Sequence, residues 1–179
     1  MSRKSIITLH LALAAFFAPV LLVTGISGGL YLVEVKGSVE KQVLFEGELA
    51  DFDFSSGNRM QSVQSFINNH NIDHDFEYLK GNSSTLVTRP TSKTHLSFEV
   101  KNNQLTVTKR SPNLIASIIE LHKGHGPRLF KTFQKLMAIA LFLILVSGLY
   151  LGLSSKAYVR RTLLISGAGV VSLLLLVWL

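Results

Sequence analysis

The chain has 179 residues, no cysteine, and 18 Lys/Arg against 11 Asp/Glu, a formal charge of +7. So basic a balance would ordinarily raise nucleic acid as a partner. Its distribution excludes that reading: residues 34–130 are neutral, and the surplus is Arg3, Lys4, Lys131, Lys135, Lys156, Arg160 and Arg161, each at the edge of a long uncharged apolar run.

The first run, Ile6 to Val33, has 28 residues without Asp, Glu, Lys or Arg. About 20 suffice to cross hydrocarbon, and a secretory signal core is only about 7–15 residues long. Arg3 and Lys4 make a suitable signal n-region and Ser27-Gly28-Gly29 is small enough for a protease. The apolar run nevertheless continues through Leu30-Tyr31-Leu32-Val33, so residues 1–34 are read as a basic segment and a retained membrane helix.

Residues 35–113 are long enough for one small domain with a limited core. Asp51-Phe52-Asp53-Phe54 alternates as a half-buried strand does, and Ser55-Ser56-Gly57-Asn58 is a turn that can cap a helix. Met60, Val63, Phe66 and Ile67 follow helical spacing, ending by Asn68-Asn69-His70-Asn71. Short β-type runs come next at Asp75–Lys80, Thr85–Arg89, Thr94–Val100 and Gln104–Lys109, with Asn102-Asn103 as a tight hairpin turn and Pro90 closing the second run. The expected fold class is an α+β membrane protein with three transmembrane helices and, between the first two, one helix packed on a small antiparallel sheet.

Residues 114–130 begin with a helix started by Ser111-Pro112-Asn113, with Leu114, Ile115, Ile118, Ile119 and His122 near one face. Gly124, Gly126 and Pro127 end it, and Pro127 suits the first turn of the next helix. Residues 131–155 hold the second membrane helix, whose 20 residues from Leu136 to Ser155 are uncharged. Residues 156–161 read as a short basic loop, and 162–179 as a third span with Trp178 as an interfacial anchor. Leu22-Val23-Thr24-Gly25-Ile26 echoes Leu145-Val146-Ser147-Gly148-Leu149, each placing a hydroxyl and a glycine where neighbouring helices can approach closely.

Positive charges flank both sides of the spans, so orientation rests on two further points. The positive-inside bias acts through short loops such as Lys156–Arg161, and the first helix, preceded by Arg3 and Lys4, usually dominates. The N-terminus is therefore expected in the cytoplasm, with the middle domain and the C-terminus outside. The lack of cysteine is compatible with an oxidising exterior.

Three histidines are candidate ligands. His122 and His125 are three apart, a spacing that brings side chains to one side of a helix, and neutral imidazole is a common haem ligand. The bland alternative is a polar interfacial corner. His10 lies one turn into the first span, where an ionisable group is a functional candidate by default. In the expected topology it lies about 30 Å from His122, so the two cannot clamp one haem in a monomer. His70, Asp73, His74 and Asp75 resemble a metal cluster on paper, but they follow a helix end in an Asn-rich stretch where a solvated turn is the ordinary outcome. Catalytic signature motifs and phosphate-binding glycine loops are not evident.

The layout resembles the PepSY-associated transmembrane family. The resemblance is carried by Arg3-Lys4 and Leu9-His10 at the first helix, Thr24-Gly25 near its end, the helix-then-hairpin order of residues 57–109, and Leu121-His122-Lys123-Gly124-His125-Gly126 before the second helix. It implies a bacterial inner-membrane location and, in larger members, iron–siderophore uptake with membrane-bound haem and ferric-siderophore reduction. This chain has three helices instead of four or more and far fewer membrane histidines. The expectation is therefore a non-catalytic accessory or interaction module of an envelope system, linked through the resemblance to iron or siderophore uptake. Its partners would be the bilayer and either another envelope protein or a second copy. A haem-dependent redox component, with haem b on His122, His125 or His10, is the alternative.

Overall fold

The computed structural model describes residues 2–48, 52–54 and 57–179. It contains helix α1 (Arg3–Leu32), strand β1 (Val39–Glu48), helix α2 (Arg59–Asn69), strands β2 (Tyr78–Gly81), β3 (Thr85–Arg89), β4 (His95–Lys101) and β5 (Gln104–Pro112), and helices α3 (Leu114–His122), α4 (Arg128–Leu153) and α5 (Val159–Trp178). Helices α1, α4 and α5 are long and apolar enough to cross a membrane. They carry exposed Leu, Ile, Val and Phe along their lengths, a surface suited to lipid rather than water. The chain is an α+β membrane protein.

Two compact units share the chain. One comprises residues up to Leu21 together with Lys135–Leu179, and it holds most of the apolar helices. Within it, Gly152 lies against Thr162, whose Oγ1 a Cβ at 152 would meet at 2.6 Å. Helix α5 begins earlier than the sequence suggests, so Arg160 and Arg161 stand in its first turn rather than in the preceding loop.

The other unit, Leu22–Gln134, is built on a five-stranded antiparallel sheet of order β1-β5-β4-β3-β2. The β4–β5 hairpin turns at Asn102-Asn103, both at positive φ (52° and 63°), a geometry asparagine tolerates and tight hairpins require. Helix α2 covers one face of the sheet. Val63, Phe66 and Ile67 pack there on Leu86, Leu96, Phe98, Leu105 and Val107, with Phe52 completing the cluster. Phe66 meets Phe98 edge-on at 5.6 Å and Phe45 at 5.2 Å.

Three local features depart from the sequence reading. Strand β1, ten residues long, precedes α2 and forms one edge of the sheet, in a stretch where the sequence pattern predicts no strand. Residues Phe52–Phe54 are not a strand; Asp51, Ser55 and Ser56 lie outside the described residues. The segment 70–75 is not simply solvated. His70 stacks on Phe66 at 4.0 Å, and His74 Nε2 bonds Thr88 Oγ1 at 2.9 Å while burial lowers its pKa. These histidines join the core's margin because Phe66 of α2 offers one an aromatic face and Thr88 of β3 offers the other a buried hydroxyl.

Candidate functional site: the histidine corner beside helix α3

Asn113 starts α3 as a helix cap, its Oδ1 accepting from Ala116 N at 2.9 Å. The chain leaves the helix at Lys123, and Gly124 takes a positive φ of 76°, a conformation glycine adopts without strain. His122 therefore ends the helix, while His125 follows the turn.

The two rings have different partners. His122 Nδ1–H donates to Thr24 O at 2.9 Å and to Ser27 Oγ at 3.0 Å, the Ser27 hydroxyl itself donating to Thr24 O. The ring lies against Gly28, where a Cβ would stand 3.0 Å from His122 Cε1. The end of α3 is thus seated on a Ser-Gly step of α1. Gly25, singled out in the sequence beside Thr24, has open space around it, so the close approach occurs one turn later.

His125 Nδ1–H donates to Glu120 Oε2 at 2.7 Å. The same oxygen accepts from Thr91 Oγ1 at 2.6 Å, and Arg89 Nη1 donates to Thr91 Oγ1 at 2.8 Å. Lys123 Nζ holds Glu120 Oε1 at 2.5 Å. Burial alone would raise the Glu120 pKa, but the bonds from Lys123, Thr91 and His125 outweigh it and bring the value from 4.5 down to about 2. The His125 pKa is lowered, chiefly by burial, so its ring is neutral at physiological pH. Glu120, Thr91 and Arg89 were not evident as site residues in the sequence; the only hint was the isolated acid at 120 beside Lys123.

His10 belongs to the other unit and repeats the arrangement there. Its Nδ1 bonds Ser147 Oγ at 2.9 Å, and a Cβ on Gly148 would be 3.3 Å from its Cε1. The Ser147 hydroxyl donates to Leu143 O at 2.6 Å, which leaves it to accept from the ring. In all three histidines the Nδ1 proton faces a protein acceptor and the Nε2 lone pair is left over, a tautomer assigned from the network. Among the described residues no group of three His, Cys, Asp or Glu side chains is arranged to hold a metal ion.

Beside His125 lies a cavity of about 530 Å³ between α3 and the sheet face opposite α2. Its wall carries Lys36, Lys41, Arg89, Arg110 and Lys123, with Glu120 as the only carboxylate among its described lining residues. A second cleft, of about 550 Å³, lies beside α2 and is floored by Phe45, Phe52, Phe66 and Leu105.

Apolar helices of spanning length, joined to an α+β module whose α3 is tied by histidine to the end of α1, define a membrane-anchored protein with a folded domain outside the apolar segments. Within that class, the chain belongs to the PepSY_TM-like family, whose pattern matches residues 59–179. The match takes in α2 through α5 and both His122 and His125, and leaves α1 and β1 outside it. No curated protein and no solved structure matches the chain.

Proposed function

We propose that the protein is a non-catalytic interaction module of a bacterial inner-membrane system, with its N-terminus in the cytoplasm and its PepSY-like domain and C-terminus outside. The domain binds an extended segment of another envelope protein. The observation that carries this reading is strand β1. It runs for ten residues at the edge of the sheet, pairs with β5 on one side, and has no strand on its outer side among the described residues. An exposed edge of that length is a template for an added strand, and the aromatic cleft beside it offers a pocket for a side chain of that strand. The bulge between Val43 and Phe45 and the charges of Glu40, Lys41, Glu46 and Glu48 restrict pairing to a matching partner. A link to iron or siderophore uptake belongs to this proposal through the family.

The test is photocrosslinking from Gln42 and Val43 in cells. A defined heterologous adduct that competes with a synthetic peptide of the identified partner, and that fails to form from Lys80, supports the reading. Adducts with a second copy alone, or none, would sink it.

The second reading is the haem-dependent redox component. It is favoured by the histidine tautomers, because ligating imidazoles ordinarily donate their other nitrogen to a carbonyl or carboxylate, as His122 and His125 do. A Soret band in the purified full-length protein, lost in His122→Ala or His125→Ala, selects this reading instead.

A further inference from the structure

The cavity beside α3 has a wall whose charge pattern the interaction reading does not use. In the β1–β5 register Lys41 stands opposite Arg110, and in the β4–β5 register His95 stands opposite Arg110. Val87 stands opposite Ser97, so Arg89, two residues on, falls in line with His95. Lys41, Arg110, His95 and Arg89 thus form a row across four adjacent strands on the face away from α2. Like charges side by side on a sheet oppose folding, and three cations in one such row call for compensation.

The protein supplies only part of it. Lys36 pairs with Glu34, Arg110 with Glu99 and Lys123 with Glu120, so the five cations of the wall face three carboxylates. Arg89 Nη1 is held by the neutral Thr91 hydroxyl. More telling, the Nε atoms of Arg89 and Arg110 are both buried and meet no acceptor among the described residues. An unmet buried donor is costly, a guanidinium donor more so, and two in one cavity point to an acceptor from elsewhere. Guanidinium groups bind the oxygens of a phosphate through paired N–H donors, and lysines add charge without directional demands.

We propose that this cavity binds a phosphate group, with Arg89 and Arg110 as its principal donors, Lys41 beside them and Lys36 and Lys123 at the rim. Two sources supply that chemistry. Lys36 follows the end of α1 by four residues and Lys123 precedes α4 by five, which brings the rim close in sequence to both apolar helices, where an anionic lipid headgroup is at hand. A free phosphate in the surrounding solution is the other. The proposal is independent of strand addition at β1.

The experiment uses the full-length protein in two arms. In non-ionic detergent it is titrated with inorganic phosphate against chloride at matched ionic strength. In nanodiscs of phosphatidylcholine it is compared with discs containing increasing phosphatidylglycerol. The readouts are the thermal unfolding midpoint and the ³¹P line width. A saturable rise specific to phosphate, to phosphatidylglycerol, or to both is expected, and the responding arm names the source. Arg89→Gln and Arg110→Gln should weaken the response at least tenfold, Lys41→Gln by less, and Lys80→Gln, outside the cavity, not at all. If the arginine variants fail to fold, Lys41→Gln and Lys80→Gln still separate a site from general charge. A flat response in both arms, a chloride response equal to that of phosphate, or equal losses in Lys41→Gln and Lys80→Gln would overturn the proposal.

Discussion

His122 Nδ1 reaches Ser27 Oγ at 3.0 Å across 95 residues of sequence, and Gly28 leaves the space in which the ring lies. The last residue of α3 is thereby joined to α1 by a bond that a non-polar residue at 27 would remove and a Cβ at 28 would crowd.

The two glycines of that segment should respond oppositely. Gly25 has open space, so Gly25→Ala should leave the protein unchanged or stabilise it by up to about 1 kcal/mol through helix propensity. Gly28→Ala gains the same propensity but sets a Cβ at 3.0 Å from His122 Cε1, and the net effect should be a loss of stability. Thermal unfolding of the two variants in one detergent checks it; equal midpoints would show that the ring is not seated there.

Glu120 should give the domain an acid-sensitive component. Its pKa falls on folding from 4.5 to about 2, so its contribution is present above pH 4.5 and is lost as the pH falls towards 2. A fall of that size corresponds to about 3 kcal/mol at full strength. Solvent on the open flank of the side chain screens the charges, leaving about 1–2 kcal/mol. Glu120→Gln should therefore be less stable than the parent at pH 7, with the gap closing between pH 4.5 and 2. The His125 pKa is also lowered, so it works in the same direction from pH 6.5 downward and is separated from Glu120 by that earlier onset. A gap constant with pH would contradict the assignment.

Phe66 is 8% exposed and meets Phe45, Phe52 and Phe98. Phe66→Ala should cost about 3–5 kcal/mol, much of the stability of a small domain. Hydrogen exchange of the full-length protein should show the amides of Leu96 and Phe98 losing protection. Undiminished protection would mean the sheet does not depend on α2.

The proposed orientation is tested by reporters. A fusion after Leu179 and an insertion at Gly81-Asn82 should both read as extracytoplasmic. A cytoplasmic signal from either would reverse or break the three-span arrangement.

The helices of spanning length were legible because a charge-free apolar run of 18 residues or more has few other outcomes. So were α2, from its apolar spacing, and the β4–β5 turn, from two asparagines between strand-like runs. Strand β1 was not. Its apolar residues Val43-Leu44-Phe45 are consecutive, and alternation is broken by the bulge at that point, so pairing with β5 rather than local pattern makes it a strand. The histidines stood out as residue types, but Thr91 and Arg89 come from a different part of the chain, and only folding brings them to Glu120. The row of cations was equally hidden, because neighbours across strands are remote in sequence.

Two fastenings close the sheet unit on itself near its two ends. Gly37, at φ 72°, passes the start of α3 so closely that a Cβ would lie 2.5 Å from Asn113 Oδ1. At the other corner Glu77 accepts from Arg128 N at 2.8 Å, and Tyr78 is capped by Arg128 and bonded by Lys131 in the first turn of α4. Both contacts are internal to the unit Leu22–Gln134, so its two ends are ordered before any visitor arrives. Ends pinned in this way need no further immobilising when a partner docks on the unit, and less of the association free energy is spent on ordering them.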